Sequence, residues 1–263
     1  MSHPEKMFPL PRRVMQTWKT NIIPTEWAVS PPSIRNFLPN WEYTLMTDKM
    51  NLAFITEHFP WFEDTYNNFP YPIQRADAIR YAWLYINGGL YLDLDFELVA
   101  PLEEIFWTLK WGNKPSHHLF LLRSANTANI TNAFMASTPG HPLWLEVMKE
   151  MMQPPGISSL EKHWQVMETT GPHMLTRVLN RTEFNYQLLP SSRLNPCTMC
   201  NISEANGPLG PEALARQLPG SSWVTGWGKV WQWCYCNSRI LIVLGIVIGL
   251  LLILLALVWF KLY

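Results

Sequence analysis

The chain predicts an α/β fold with a mostly parallel central sheet, followed by one C-terminal membrane-spanning helix. Three observations carry this. Strand-like and helix-like stretches alternate from Leu10 to Leu189, the order that builds layered α/β domains. The stretch Gln74–Asp95 reads as a helix, a Gly-Gly break and a buried strand ending in Asp-x-Asp, which puts an acidic pair near the carboxyl edge of the sheet. Finally, Ile240–Phe260 is 21 residues without a charge, long enough at about 1.5 Å per residue to cross a bilayer core.

Taken in order, Leu10–Lys19 is a short first strand ending in polar and aromatic residues, and Thr20–Pro39 is Pro-rich and reads as loop. Trp41–Asp48 alternates as a second strand. Met50–Phe59 is helical and closed by Pro60. Phe96–Pro101 leaves the strand that follows the Gly-Gly break, and Leu102–Leu109 is amphipathic. Leu119–Arg123 is a short apolar strand, Ile130–Ala136 another short element, and Pro142–Met152 a helix. Thr169-Thr-Gly-Pro172 turns into a helix over Met174–Leu179, with Pro near its first position. Tyr186–Leu189 is a late strand. Residues 190–220 read as loop, and a Trp-rich segment leads into the apolar run.

Within the central stretch, Ile79, Ala82, Trp83 and Ile86 recur at helical spacing, and Asp77 and Arg80 share a face at i and i+3. Gly88 and Gly89 suit a left-handed helix end. From Leu90 the pattern alternates, with Leu90, Leu92 and Leu94 on one side and Tyr91, Asp93 and Asp95 on the other. Two carboxylates then face one way, roughly 7 Å apart by strand spacing. Acidic residues at a strand end alone read as a solvated turn. Fed by an apolar helix and an apolar strand, these emerge from a core and need a partner. A hard divalent cation with phosphate oxygens is the chemistry they fit.

Composition narrows the classes. The 263 residues carry 20 basic and 20 acidic side chains and no basic block, so nucleic-acid binding is not indicated. No His-Glu-x-x-His, Gly-x-Ser-x-Gly or Walker-type Gly-rich stretch occurs, which argues against zinc hydrolase, serine hydrolase and P-loop chemistry. The four cysteines form Cys197-x-x-Cys200 and Cys234-x-Cys236. Zinc, palmitoylation beside the apolar run, or a disulfide in an oxidising lumen are all open. Met1–Lys19 has no signal-type apolar core, while sequons stand at Asn129, Asn180 and Asn201, so the side of the membrane taken by residues 1–228 is open too.

The chain resembles the Asp-x-Asp glycosyltransferases of family 32, the Och1-like group, and within it the fungal inositol-phosphorylceramide mannosyltransferases. The likeness rests on Leu10–Lys19, Arg75–Tyr81, Gly88–Asp95, Phe134–Trp144, Thr170-Gly-Pro172 and Gly220-Ser-Ser-Trp223, in that order. It implies a GT-A-like catalytic domain over residues 1–228; the Trp- and Cys-rich juxtamembrane segment over 229–239 and the membrane helix over 240–260 follow from composition. It implies retaining transfer of a sugar from a nucleotide diphosphate donor, with Mn²⁺ or another divalent cation. Asp95 would bind the metal directly and Asp93 would help hold it. Asp77 and Arg80 would bind donor-sugar hydroxyls, and Gln16, Thr17 and Trp18 would line the nucleoside pocket. Ser222 and Trp223 would close over metal and diphosphate. Three family histidines are replaced here, by Met15, Gln217 and Val224.

The resemblance implies GDP-mannose as donor, an inositol-phosphate sphingolipid or a glycan as acceptor, and a single-pass protein of the Golgi or ER membrane. Gly245-Ile-Val-Ile-Gly249 would suit a homodimer through the membrane helix. Two alternatives stand beside this reading: a membrane-tethered sugar-nucleotide- or glycan-binding protein impaired in turnover, and the same chemistry with a UDP-hexose donor.

Overall fold

The computed structural model describes residues 8–107, 118–124, 128–153, 156, 161–195, 200, 209–220, 224 and 226–262, the side chains of 259–262 excepted. The strands are β1 (Arg13–Trp18), β2 (Glu42–Thr47), β3 (Gly89–Leu92), β4 (Phe96–Leu98), β5 (Leu119–Arg123), β6 (Ile130–Ser137), β7 (Gln187–Leu189) and β8 (Ala215–Gln217). Six of them form one sheet in the order β2-β1-β3-β6-β5-β7, and β4 pairs with β8 separately. In the large sheet β6 alone runs against the other strands. The mostly parallel sheet expected from the sequence is therefore present, with one reversed strand.

The helices are α1 (Ser30–Phe37), α2 (Asp48–His58), α3 (Pro60–Asn67), α4 (Pro72–Asn87), α5 (Glu103–Trp107), α6 (Pro142–Met152), α7 (Lys162–Thr169), α8 (Pro172–Arg181), α9 (Ser191–Leu194), α10 (Trp227–Cys236) and α11 (Ser238–Leu262). Strand alternation sorts them into two layers. Met15, Tyr91, Leu121 and Met135 face one core with Ile55, Phe62, Ile79, Trp144 and Leu175 from α2, α3, α4, α6 and α8. Val14, Leu90, Leu92, Phe120 and Phe134 face the other, with Ile34, Leu98, Phe106 and Leu194. All four residues of β3 are buried, as a strand covered on both faces must be.

The Gly-Gly break is required by geometry. Gly89 has φ +87°, and a Cβ there would lie 2.4 Å from the Arg13 carbonyl oxygen. A glycine at this point lets β3 start directly against β1.

Three expectations need correction. Residues 20–39 are not all loop: a 3-10 turn (Thr25–Trp27) and α1 lie there, with Pro31 in the first helical turn, where a missing N–H is harmless. Helix α2 ends just before Pro60, as expected, and Pro60 also opens α3 for the same reason. The strand expected through Asp95 stops at Leu92. The chain then turns, the Phe96 N–H donating to the Asp93 carbonyl at 3.1 Å, with Asp at the turn position that favours it. Last, residues 190–220 contain α9 and β8, and α7 and α10 are helices that no periodicity announced. Residues 108 and 109, expected to extend α5, lie outside the described residues.

Candidate active site

The site forms where β1, β3 and the turn after β3 end, beneath α4 and α7. A cleft of about 500 Å³ is lined there by Asp77, Arg80, Asp93, Asp95, Gln217 and Trp231, among others. Its floor is a charged network. The Arg80 guanidinium is 3.0 Å from Asp93 Oδ1 through Nη1 and 3.0 Å from Asp77 Oδ1 through Nη2, and its side chain is 4% exposed. Arg80 also donates to the Asn132 carbonyl at 2.8 Å and sits 4.7 Å from the Tyr91 ring centre. Asp93 accepts a hydrogen bond from the Tyr91 hydroxyl. An ion pair this deep survives only when its remaining lone pairs and protons are matched.

Asp77 is matched on both oxygens. Thr170 Oγ1 donates to Oδ2 at 2.7 Å and Asn132 Nδ2 donates to Oδ1 at 2.9 Å. The helical i,i+3 pair read from the sequence is therefore a buried junction of α4, β6 and the turn before α8. Burial pushes the Asp77 carboxyl up, and Arg80 and Thr170 oppose it.

Asp95 differs. Gln217 Nε2 donates to its Oδ2 at 3.2 Å, and its Oδ1 is hidden from solvent with no hydrogen-bond partner. Burial, and then the charge of Asp93, push Asp95 up to about 7. Two carboxylates that repel each other, one with an orphaned inner oxygen, form a donor set that fits a hard cation. Among the described residues no third His, Cys, Asp or Glu joins them. Further oxygens would come from Gln217, from Ser222 or from a ligand.

Thr17 and Trp18 line the cleft, and Trp18 packs edge-on against Trp27 at 5.1 Å. Gln16, expected beside them, lies beneath the cleft and is fully buried. It donates to Ser30 Oγ at 2.8 Å and to the Asp93 carbonyl at 3.1 Å, so it props the acidic turn from below. Ser222 and Trp223 lie outside the described residues. Their neighbour Gly220 approaches Asp95 so closely that a Cβ on it would be 2.6 Å from Oδ2, and the buried Val224 lines the cleft.

Several residues of the site were not readable as such. The strand pattern puts Tyr91 on the face of Asp93 and Asp95 but gives it no role, and Asn132 lies in β6 with no motif around it. Thr170 stood in a noted Thr-Gly-Pro turn without a role. Trp231 joined the cleft wall only through the packing of α10 on α7, where it meets Trp164 at 5.2 Å and His163 at 5.6 Å.

The cysteines are settled in part. Cys200 and Cys236 form a disulfide, one from each pair, and Cys234 is free. Cys197 and the Asn201 sequon lie outside the described residues. Asn180 is exposed at the end of α8 and Asn129 is half-buried.

Residues 24–116 match the family described as "Glycosyltransferase sugar-binding region containing DXD motif". A mannosyl phosphorylinositol ceramide synthase of Saccharomyces cerevisiae is 31% identical over 222 residues, 82% of this chain and 54% of that protein. An inositol phosphoceramide mannosyltransferase of Schizosaccharomyces pombe is 34% identical over 170 residues, 64% of this chain and 44% of that protein. The chain thus spans about half the length of these two relatives. The apo form of the glycosyltransferase GlyE of Streptococcus pneumoniae superposes with a TM-score of 0.50 at 13% identity, covering 86% of this chain and 60% of that one. That likeness concerns the fold, and it agrees with the GT-A-like architecture expected from the sequence. The matched region runs through the helix, the Gly-Gly break and the acidic turn that shape this cleft, and over it the chain is similar to the DXD-motif glycosyltransferases.

Proposed function

We propose that the chain is a membrane-anchored retaining glycosyltransferase that moves mannose from GDP-mannose to an inositol-phosphate sphingolipid. One observation carries the reading most: Asp93 and Asp95 converge at the floor of an open cleft, with Arg80 holding the first and an orphaned oxygen on the second. Asp95 and Asp93 would hold Mn²⁺ or another divalent cation, with Gln217 and Ser222 beside them. When bound, that cation offsets the charge growing on the departing diphosphate. Arg80 fixes Asp93 and offers its guanidinium at the cleft floor, and Asp77 fixes Arg80. Thr17 and Trp18 supply a polar and an aromatic surface for a nucleoside, and Ser222 and Trp223 would close over metal and diphosphate. Lys162 lines the cleft, its ammonium 5.6 Å from the Tyr71 ring centre, and is a cation suited to the acceptor's phosphate. The mannose donor and sphingolipid acceptor are supported by the names of the two fungal relatives.

Helix α11 is long and apolar enough to cross a membrane, and we place the anchor there. The domain would then comprise residues 1–228, the linker 229–239 and the span 240–260. The Cys200–Cys236 disulfide supports an oxidising, lumenal side for the domain, as in the Golgi or ER. Gly245 and Gly249, with open space around them, would permit a homodimer in the bilayer.

A second reading has its own observation. The Gln217 amide already donates to Asp95 Oδ2, where an imidazole is common in the family, which supports a tethered binding protein with weak turnover. Thermal unfolding of the purified chain with Mn²⁺ and a panel of GDP- and UDP-sugars separates the donors, since a ligand of the folded state raises its apparent stability. Sugar release is then compared with Asp95→Ala. GDP-mannose should stabilise most and wild type should release mannose at least about a hundredfold faster. Equal, slow release by both proteins sinks the enzyme reading.

A further inference from the structure

Helix α10 has two faces with different duties. On the inner arc Gly228, Trp231 and Gln232 line the cleft, and Tyr235 stacks on Trp231 at 5.4 Å. On the outer arc Trp227, Val230 and Trp233 stand at i, i+3 and i+6 and are 74%, 47% and 58% exposed. Three large apolar side chains on one helical face are a surface that water disfavours.

What covers that face follows from the chain itself. Only Asn237 separates α10 from α11, so the end of α10 lies where the apolar helix enters the bilayer. Trp is the residue that favours this depth. Residues 213–239 contain no Asp or Glu, while Lys229 lies in α10 and Arg239 at the start of α11, a local charge that suits an anionic lipid surface.

We propose that α10 is an interfacial helix whose Trp227/Val230/Trp233 face lies in the headgroup region, holding the mouth of the cleft on the bilayer so that the acceptor is taken as the headgroup of a membrane lipid. This rests on reading α11 as a span and the cleft as a sugar-transfer site. A helix with its side chains is about 10–12 Å across. With one face in the membrane, the cleft wall on its other face stands one helix diameter above the lipid. A headgroup can then reach the acidic floor while its chains stay in the bilayer. A free, water-soluble glycan gains nothing from this placement.

The test uses the full chain in phosphatidylcholine/phosphatidylinositol liposomes. Photoreactive benzoylphenylalanine is placed at position 233 or, as a control, at 61, where Trp61 is 45% exposed on α3. Position 233 should cross-link phospholipid and position 61 should not; equal labelling overturns the proposal whether or not the chain turns over. The Trp227→Ser/Trp233→Ser variant should lose at least about tenfold in transfer to a long-chain lipid acceptor in liposomes, through a raised apparent KM. Transfer to a short-chain soluble acceptor and Mn²⁺-dependent donor hydrolysis should be unchanged. An equal loss on both acceptors overturns the docking role. Absence of all transfer with lipid cross-linking at 233 intact would fault the sugar-transfer reading and leave the docking supported.

Discussion

Gln217 Nε2 stands 3.2 Å from Asp95 Oδ2, joining residues 122 apart in sequence. The contact follows from β8 pairing with β4, which sets Gln217 opposite Phe96. A carboxamide there satisfies one Asp95 oxygen but offers a metal only a weak neutral oxygen. Gln217→His places a better ligand at the same point. We expect Mn²⁺ affinity to rise about tenfold or more, read by calorimetric titration. Unchanged affinity would mean that residue 217 does not reach the metal.

The Thr170–Asp77 hydrogen bond should matter for folding before it matters for rate. Thr170→Val keeps the shape and removes a donor from a buried carboxylate, which costs about 1–3 kcal/mol. Arg80→Met leaves both Asp77 and Asp93 without their cation and should cost about 3–5 kcal/mol. Arg80→Lys should rescue little, since one ammonium cannot span both carboxylates as the guanidinium does. Urea unfolding with far-UV circular dichroism measures all three.

Asp95 gives a pH signature. Burial and Asp93 raise its folded-state pKa from 3.8 to about 7. A raised pKa means that the folded protein holds the proton more tightly than the unfolded chain. The stability this contributes is full below about pH 4 and is lost as pH rises through 7. The metal-free protein should therefore lose stability from this group between about pH 4 and 7, and Asp95→Asn should flatten that slope. Since a cation needs the carboxylate, Mn²⁺ should stabilise little at pH 5.5 and much more at pH 8. Melting curves with and without Mn²⁺ at both values decide it.

The disulfide closes a separation of 36 residues between Cys200 and the last turn of α10. Cys200→Ser should lower stability by about 2–4 kcal/mol. It should also free Cys236 for alkylation without denaturant, detected by peptide mass spectrometry. Alkylation of wild-type Cys236 without reductant would contradict the pairing.

Much was legible beforehand because it is local. The helix over α4, the glycines that start β3 and the apolar run of α11 are each set by neighbours within a few residues. The Asp-x-Asp pair stood out because charge at the end of an apolar strand has few uses. What was not legible depends on distant partners. Gln16 looked like a nucleoside contact, but Ser30 and the Asp93 carbonyl claim its amide. The helix of residues 30–37 was hidden by prolines that sit in its first turn. Helix α10 shows no clear period because large apolar side chains stand on both its faces, Trp231 against α7 and Trp227 and Trp233 outward.

The sequence by itself determined the layered fold, the acidic pair, the Asp77–Arg80 pairing and the apolar C-terminal helix, all of which follow from backbone periodicity and short-range spacing. The tertiary structure decided that Asp77 is saturated by Thr170 and Asn132 while Asp95 keeps one oxygen unmatched. It also decided that β8 brings Gln217 to Asp95 and that α10 walls the cleft. The physical reason is that hydrogen-bond saturation and desolvation belong to atoms brought together from across the chain.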